Sequence, residues 1–307
     1  MKSVTIDRML RPLLLITTLT VAHAAQPFSE KKLGEKISAA TAGFSGTVSI
    51  FAKNLDTGAT FALRPDDRVR TASTIKLPIL CATFDAVKEG RLKWTDLTTL
   101  NATDKVSGSG ILGEFSDGMK FPLVDLAHLM IVLSDNTATN LVLDSITADA
   151  VNDYMEKLGL KGTRSMRKVR GDGADLKSPS GFSKAGLDPA NTKYGLGSST
   201  PREMVILLER IEKGEIVSGE ASKEILKILK RQRDTNGIAR RMGTVVVANK
   251  SGALDHLRSD VGIVYAKGNR IAMAITCEDV PKVDWTSDNE GLLLIAKIAE
   301  ILVGELK

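Results

Sequence analysis

The chain has 307 residues, of which 43% are apolar and 26% charged, with a formal net charge of +5. That length suffices for one large domain or two closely joined ones around a substantial core, and the composition excludes extensive disorder. Lysines and acids are mixed along the chain rather than blocked, which excludes the charge footprint of a nucleic-acid binder.

The first residues read as a leader. Lys2, Arg8 and Arg11 precede or flank a short apolar run to Ala22, and Ala22-His23-Ala24 supplies small residues for a cleavage site. Cleavage is expected after Ala24, because the run is too short to span a bilayer. Loss of three bases and one acid takes the net charge from +5 to +3. A cleaved leader places the mature protein in the periplasm or outside the cell, with no membrane attachment.

A helix is predicted from about Glu30 to Thr41. "GTVSIFAKNLDTGATFALR" (Gly46–Arg64) then alternates apolar and polar residues around Asp56-Thr57-Gly58, a β-hairpin pattern. "TASTIKLP" follows, with Ser73 and Lys76 three residues apart where a helix enters the core. On a helix both project from one face. A buried lysine beside a serine can be neutral and take the hydroxyl proton, which makes a nucleophile without histidine. Alone, such a spacing arises by chance in a chain this long.

Leu126, Leu129, Met130 and Leu133 fall at helical spacing and lead into "LSDNTATN". There the Ser134 hydroxyl can pass a proton, and the Asn136 amide offers a donor and an acceptor to a substrate amide. Ser, Asp and Asn are also ordinary helix caps. Val151, Tyr154, Met155 and Leu158 predict another helix, closed by Gly159. Val169–Ser199 is a long, glycine-rich irregular stretch, which in a compact protein is usually functional or mobile. "STPREM" opens a helix with Thr200 as N-cap, Pro201 at the first position and Glu203 completing a capping box.

Strand patterns return in Gly243–Gly252 and Asp260–Glu278, with Lys267-Gly268-Asn269 as the turn. The first ends in "NKSGA", where Lys250 and Ser251 can bind a carboxylate and Gly252 allows a substrate backbone close to the strand. A last helix is predicted from about Asn289 to Val303. Cys81 and Cys277 lie in separate apolar segments and read as two buried thiols as readily as one disulfide. His128 and His256 sit in no ligand-spaced cluster, so neither a metal site nor a Ser-His-Asp triad is expected, and no cofactor.

Strands at both chain ends and helices between them predict an α+β architecture: one antiparallel sheet flanked by the terminal helices, plus an inserted, mostly helical domain. The expected boundaries are 25–68 and 206–307 for the sheet domain and 69–205 for the helical one.

Ser-x-x-Lys, then Ser-Asp-Asn, then Lys-Ser-Gly, in that order, resembles the motif set of class A β-lactamases and penicillin-binding proteins. "TASTIKLPI" is similar to that family's nucleophile helix, and "DGMKFPLVDLAHLMIVLSDNTATNLVLD" to its long helix run into the S-D-N loop. The likeness runs from about residue 30 to the C-terminus and implies the serine β-lactamase/DD-peptidase fold, with 164–199 as an omega-like loop. It implies that Ser73 is acylated, Lys76 is the general base, and Ser134 relays a proton to the departing nitrogen. It further implies that Asn136 holds the acyl-amide and that Lys250 and Ser251 bind the substrate carboxylate. An oxyanion hole would come from the N–H groups of Ser73 and Ala253, with Arg258 adding positive potential.

The sequence departs from the family in the omega-like loop. The glutamate that drives deacylation in class A enzymes maps, without gaps, onto Val169, and its asparagine onto Gly173. Asp172 and Asp175 are the nearby carboxylates, and no aromatic gatekeeper stands near Ser107 or Ser109. Three readings follow. The first is a secreted, monomeric β-lactamase. The second is a DD-peptidase acting on D-Ala-D-Ala stems and inhibited by β-lactams. The third is a non-catalytic cell-wall module, for which a serine–lysine pair would be unnecessary.

Overall fold

The computed structural model describes Met1 and residues 29–170 and 181–306. The remainder of the expected leader, and Asp172, Gly173 and Asp175, lie outside the described residues. The first helix, α1 (Glu30–Thr41), is capped by Ser29, whose hydroxyl accepts from Lys32 N, and it buries Leu33 and Ile37. β1 (Thr47–Asn54) and β2 (Thr60–Leu63) form the expected hairpin. Asn54 shapes its turn: its Oδ1 accepts from Asp56 N and Thr57 N, while Gly58 takes φ +81°.

After β3 (Val69–Arg70), a 3₁₀ turn over Ala72–Ile75 leads into α2 (Lys76–Lys88). β4 (Leu97–Thr99) and β5 (Lys120–Pro122) pair beneath the rim segment they bracket. The helical layer continues as α3 (Leu123–Val132), α4 (Asn136–Ile146) and α5 (Ala148–Lys157). Gly159 ends α5 at φ +77°, with Gly159 N and Leu160 N bonding back into the last turn. β6 (Arg164–Ser165), α6 (Lys184–Leu187), a 3₁₀ segment over Pro189–Tyr194 and β7 (Gly197–Ser199) follow. The segment read from sequence as irregular thus holds short elements, and β7 bridges β3 and β6 in a small second sheet. Elements of two to six residues carry too little periodicity to be legible.

α7 (Pro201–Glu212) starts where expected, and Thr200 accepts from Glu203 N. The capping box does not form. The Glu203 carboxylate instead accepts from Gly162 N at 2.8 Å and Thr163 Oγ1 at 2.6 Å, tying α7 to the residues that lead into the omega-like loop. α8 (Gly219–Leu229) precedes the long strands β8 (Val246–Leu254), β9 (Leu257–Ala266) and β10 (Asn269–Glu278), and α9 (Glu290–Glu305) ends the fold.

The main sheet has the order β2-β1-β10-β9-β8 and is antiparallel throughout. Successive residues of β10 face opposite sides, so Ile271, Met273 and Ile275 join the core under α1 and α9, while Ala272 and Ala274 join the core under the helical layer. The second core takes in side chains of α2 to α5, α7 and α8 together with sheet residues Phe51, Val261 and Ile263. The boundary placed at 205/206 falls inside α7, whose Met204, Leu207 and Leu208 all belong to that shared core. Cys81 and Cys277 are free and buried, one in each core.

Candidate active site

The chain turns sharply before Ser73. Ala72 takes φ +46°, and the 3₁₀ turn it opens carries Ser73 half-exposed at the head of α2. Lys76, the first residue of α2, is fully buried. Its Nζ lies 2.8 Å from Ser134 O, 3.2 Å from Ser134 Oγ and 2.9 Å from Asn136 Oδ1. Burial, and then the positive charge of Lys250, push the Lys76 ammonium well below its usual range, while Asp135 opposes them. The structure therefore joins the first two motifs around one amine.

Ser134 and Asn136 stand at a break between helices. Ser134 takes φ +54° after α3 ends, and Asp135 caps α4 by accepting from Ala138 N. The other Asp135 oxygen accepts from Ile111 N and Leu112 N, both at 2.7 Å. Asn136 is held to the same rim: its N donates to Ser109 O at 2.9 Å and its Nδ2 to Ser107 O at 3.0 Å. Two glycines make this possible. A Cβ on Gly108 would stand 2.7 Å from Asn136 Nδ2, and one on Gly110 would stand 2.2 Å from Asp135 Oδ2. Asp135 was read from sequence only as part of a motif. It is the fastening between the rim and the S-D-N turn.

The third motif lies on β8, the edge strand of the sheet. Lys250 is fully buried and donates to Ser251 O at 2.6 Å. Burial lowers its pKa to about 8, against the raising influence of Asp234 and Asp260. Gly252 has a reason beyond the one expected. A Cβ there would stand 2.7 Å from Thr71 O and 3.0 Å from both Ser73 N and Thr74 N, so glycine admits the Ser73 turn against β8. That approach sets the Ser73 backbone N–H beside the strand end where Ala253, half-buried, follows.

Arg258 departs from expectation. It lies on β9, opposite Ala253, and is 2% exposed. Its guanidinium donates to the carbonyls of Leu254, Leu257 and Asp284 and stacks over Trp285 at 4.9 Å. It fastens the β8–β9 turn rather than presenting charge to a substrate. His128 and His256 each bond a backbone carbonyl, of Val124 and Val280. Among the described residues no group of three or more His, Cys, Asp or Glu is placed to hold a metal ion, and no helix is long and apolar enough to cross a membrane.

Val169 is buried and held in both directions by Asn140 of α4: Val169 N donates to Asn140 Oδ1 and Asn140 Nδ2 to Val169 O, each at 2.8 Å. Its neighbours are basic. Lys168 pairs with Asp144, and Arg167 donates to Lys168 O. Asn140 was not singled out in the sequence, although it stands four residues beyond Asn136, one turn further along the same helix.

An antiparallel sheet backed by terminal helices, with a half-exposed serine and a buried lysine one turn apart where a helical layer meets its edge strand, defines the class of serine β-lactamases and penicillin-binding proteins. The chain belongs to the β-lactamase enzyme family, whose model matches residues 32–306. It is 29% identical over 243 residues to a β-lactamase of Bacillus licheniformis, covering 76% of this chain and 71% of that one. It is 25% identical over 297 residues to the β-lactamase regulatory protein BlaB of Streptomyces cacaoi, covering 85% and 93%. Among solved structures it is similar to a β-lactamase from Sphaerobacter thermophilus, with TM-score 0.78 and 28% identity over 91% of this chain and 98% of that one. It is also similar to PBP-A, with TM-score 0.74 and 25% identity over 89% and 95%.

Proposed function

We propose that the protein is a class A-type serine β-lactamase that opens the β-lactam amide through an acyl-Ser73 intermediate and works in the periplasm or outside the cell after loss of its leader. The observation that carries this reading is the single amine of Lys76 in contact with both Ser134 Oγ and Asn136 Oδ1. A neutral Lys76 has one lone pair and two N–H donors. The lone pair takes the Ser73 proton as Ser73 Oγ attacks the lactam carbonyl. The developing oxyanion meets the N–H groups of Ser73 and Ala253. When the C–N bond breaks, Ser134 Oγ donates its proton to the leaving nitrogen and is reprotonated from Lys76. Asn136, fixed by the rim, orients the acyl-amide, and Lys250 with Ser251 draws the substrate carboxylate to the end of β8.

Hydrolysis of the ester needs a second base. Val169 cannot supply one, and the residues beside it are cationic. Lys76, neutral again once Ser134 is reprotonated, is the base already in place, and water attack on the ester would return the hydrogen to Ser73 Oγ. Val169 also favours a second reading, a DD-peptidase whose acyl-enzyme is released slowly by water. The likeness to PBP-A, and to its L158E mutant solved as an acyl-enzyme complex with penicillin G, is in keeping with a long-lived adduct in this fold.

Intact-protein mass spectrometry after mixing with a penicillin tests both. A covalent adduct should appear within the mixing time, decay with release of the hydrolysed drug, and be missing in Ser73→Ala. An adduct on Ser73→Ala at the native rate would refute the assignment. An adduct that never decays, with D-Ala released from a D-Ala-D-Ala peptide, would replace the first reading by the second.

A further inference from the structure

Behind Lys250 lies a buried acid that the mechanism above does not use. Asp260, on β9, is 1% exposed. Its Oδ1 accepts from Asn249 Nδ2 at 2.9 Å, and its Oδ2 accepts from Asn249 Nδ2 at 3.2 Å and from Ile238 N at 2.8 Å. Asn249 immediately precedes Lys250, and the residue paired with Asp260 across the ladder is Ser251, which immediately follows it. Asp260 thus grips β8 on both sides of the lysine. Gly237 makes room for it, since a Cβ there would stand 2.3 Å from Asp260 Oδ2.

The same carboxylate anchors a strap. Residues 232–238 run from the end of α3 to Asp260: Gln232 Nε2 donates to Ile131 O, Arg233 N to Val132 O, and Ile238 N to Asp260. Ser134 begins two residues beyond Val132. The strap therefore links the chain that carries Ser134 to the strand that carries Lys250.

We infer that Asp260 is a positioning residue, which through Asn249 and the strap sets the place of Lys250 opposite the S-D-N turn and, by its negative charge, keeps that lysine cationic for substrate binding. The charged groups that bear on Lys250 are Asp234 and Asp260, both favouring its cation, with Lys76 across the site and Asp135 behind Lys76. Asp260 in turn faces Asn249, Ile238 N–H, Asp234 and Lys250. Burial raises the pKa of Asp260 to about 7 and lowers that of Lys250 to about 8. Asp260 becomes an anion just below the pH at which Lys250 loses its proton. Removing that anion lets the lysine deprotonate earlier.

The inference rests on the reading of Lys250 as the carboxylate-binding lysine, but its first test does not need turnover. With lysine labelled at 13Cε and the Lys250 signal assigned by its loss in Lys250→Arg, the titration of Lys250 is followed by NMR. In Asp260→Asn its midpoint should fall by about one pH unit, a tenfold change in the protonated-to-neutral ratio. In Asp260→Ser, which removes the same charge with a different shape, it should fall as well. Kinetics then reads the consequence. KM for an anionic β-lactam should climb at lower pH in Asp260→Asn than in the native enzyme, with kcat/KM at pH 6 within about twofold of native. Unchanged Lys250 midpoints in both variants would overturn the inference, as would an equal loss of kcat/KM at every pH. If Asp260→Asn does not fold, the downward shift in Asp260→Ser decides alone. Normal Lys250 titration shifts with no turnover of any β-lactam would instead remove the functional reading and leave the electrostatic one standing.

Discussion

At the scale of single residues, the chemistry turns on where protons can rest. Lys76 loses its proton readily because it is buried and faces a second cation. Val169 offers no lone pair, yet its backbone is clamped by Asn140 at the place the family's glutamate maps to. Val169→Glu should therefore restore a water-activating base. The steady-state rate after the burst with a chromogenic cephalosporin should rise by about 10²-fold, the low end for general base catalysis, with the burst itself unchanged. An unaltered slow phase would show that water attack is not what limits this enzyme. That Ser73, Lys76, Ser134, Asn136 and Lys250 belong together was suggested by the sequence because each sits in a motif whose spacing is short, and the structure brings Lys76 against Ser134 and Asn136. Asp260, Asn140 and Asn249 were not, because their partners are brought together by helix packing and strand register. Asp260 faces Ser251 only because β8 and β9 turn at Asp255-His256, and the strand pattern read from sequence began at Asp260 itself. Arg258 was misread for the same reason. Taken as a turn residue it would face the cleft, whereas in β9 it holds three carbonyls of the turn and its flank.

At the scale of elements, two pairs of pieces are pressed together where no side chain intervenes. Gly252 lets β8 touch the Ser73 turn, and Gly108 and Gly110 let the rim touch the S-D-N turn. Gly252→Ala should force β8 away from Thr71 and Ser73. We expect acylation by a penicillin, followed by stopped-flow, to slow by at least about tenfold from a lost oxyanion donor, with a loss of stability of about 1–3 kcal/mol in urea unfolding. A variant as fast as native would mean that the Ser73 turn tolerates a wider gap. Gly110→Ala carries a double cost, because its φ of +112° is strained for alanine and its Cβ would meet Asp135. The thermal midpoint should fall by several degrees, for a chain this size about 2–4 °C per kcal/mol. The long elements were visible in the sequence through their periodicity. The short strands β3, β6 and β7 and the redirected Glu203 were not, since their partners lie elsewhere in the chain.

At the scale of the whole molecule, one sheet separates two cores, and the site sits at its edge strand. That arrangement explains why two polar, buried groups of opposite sign were retained near β8. Their titration also shapes stability. Asp260 has a raised pKa of about 7 in the fold, so its contribution is fully present below the ordinary aspartate range and is lost as pH rises toward 7. Lys250 has a lowered pKa of about 8, so its contribution is present above the ordinary lysine range and is lost as pH falls toward 8. Together they predict a trough in unfolding free energy between about pH 7 and 8. Urea midpoints measured from pH 5 to 9 should show native protein weakening from pH 5 to 7, with that decline reduced in Asp260→Asn. An equal slope in both proteins would assign the decline to other groups.

On the face of the sheet away from the site, α1 lies against α9, and Lys32 and Lys36 both pair with Glu305. The two described ends of the fold are neighbours, so the polypeptide is close to a ring. A short linker from Leu306 to Ser29, with a new opening cut in the exposed Lys267-Gly268 turn, would give a permuted enzyme in which both cores and every motif keep their places. The order in which Ser73, Ser134 and Lys250 occur along the chain could then be changed without changing the site, since the chemistry depends only on where they meet.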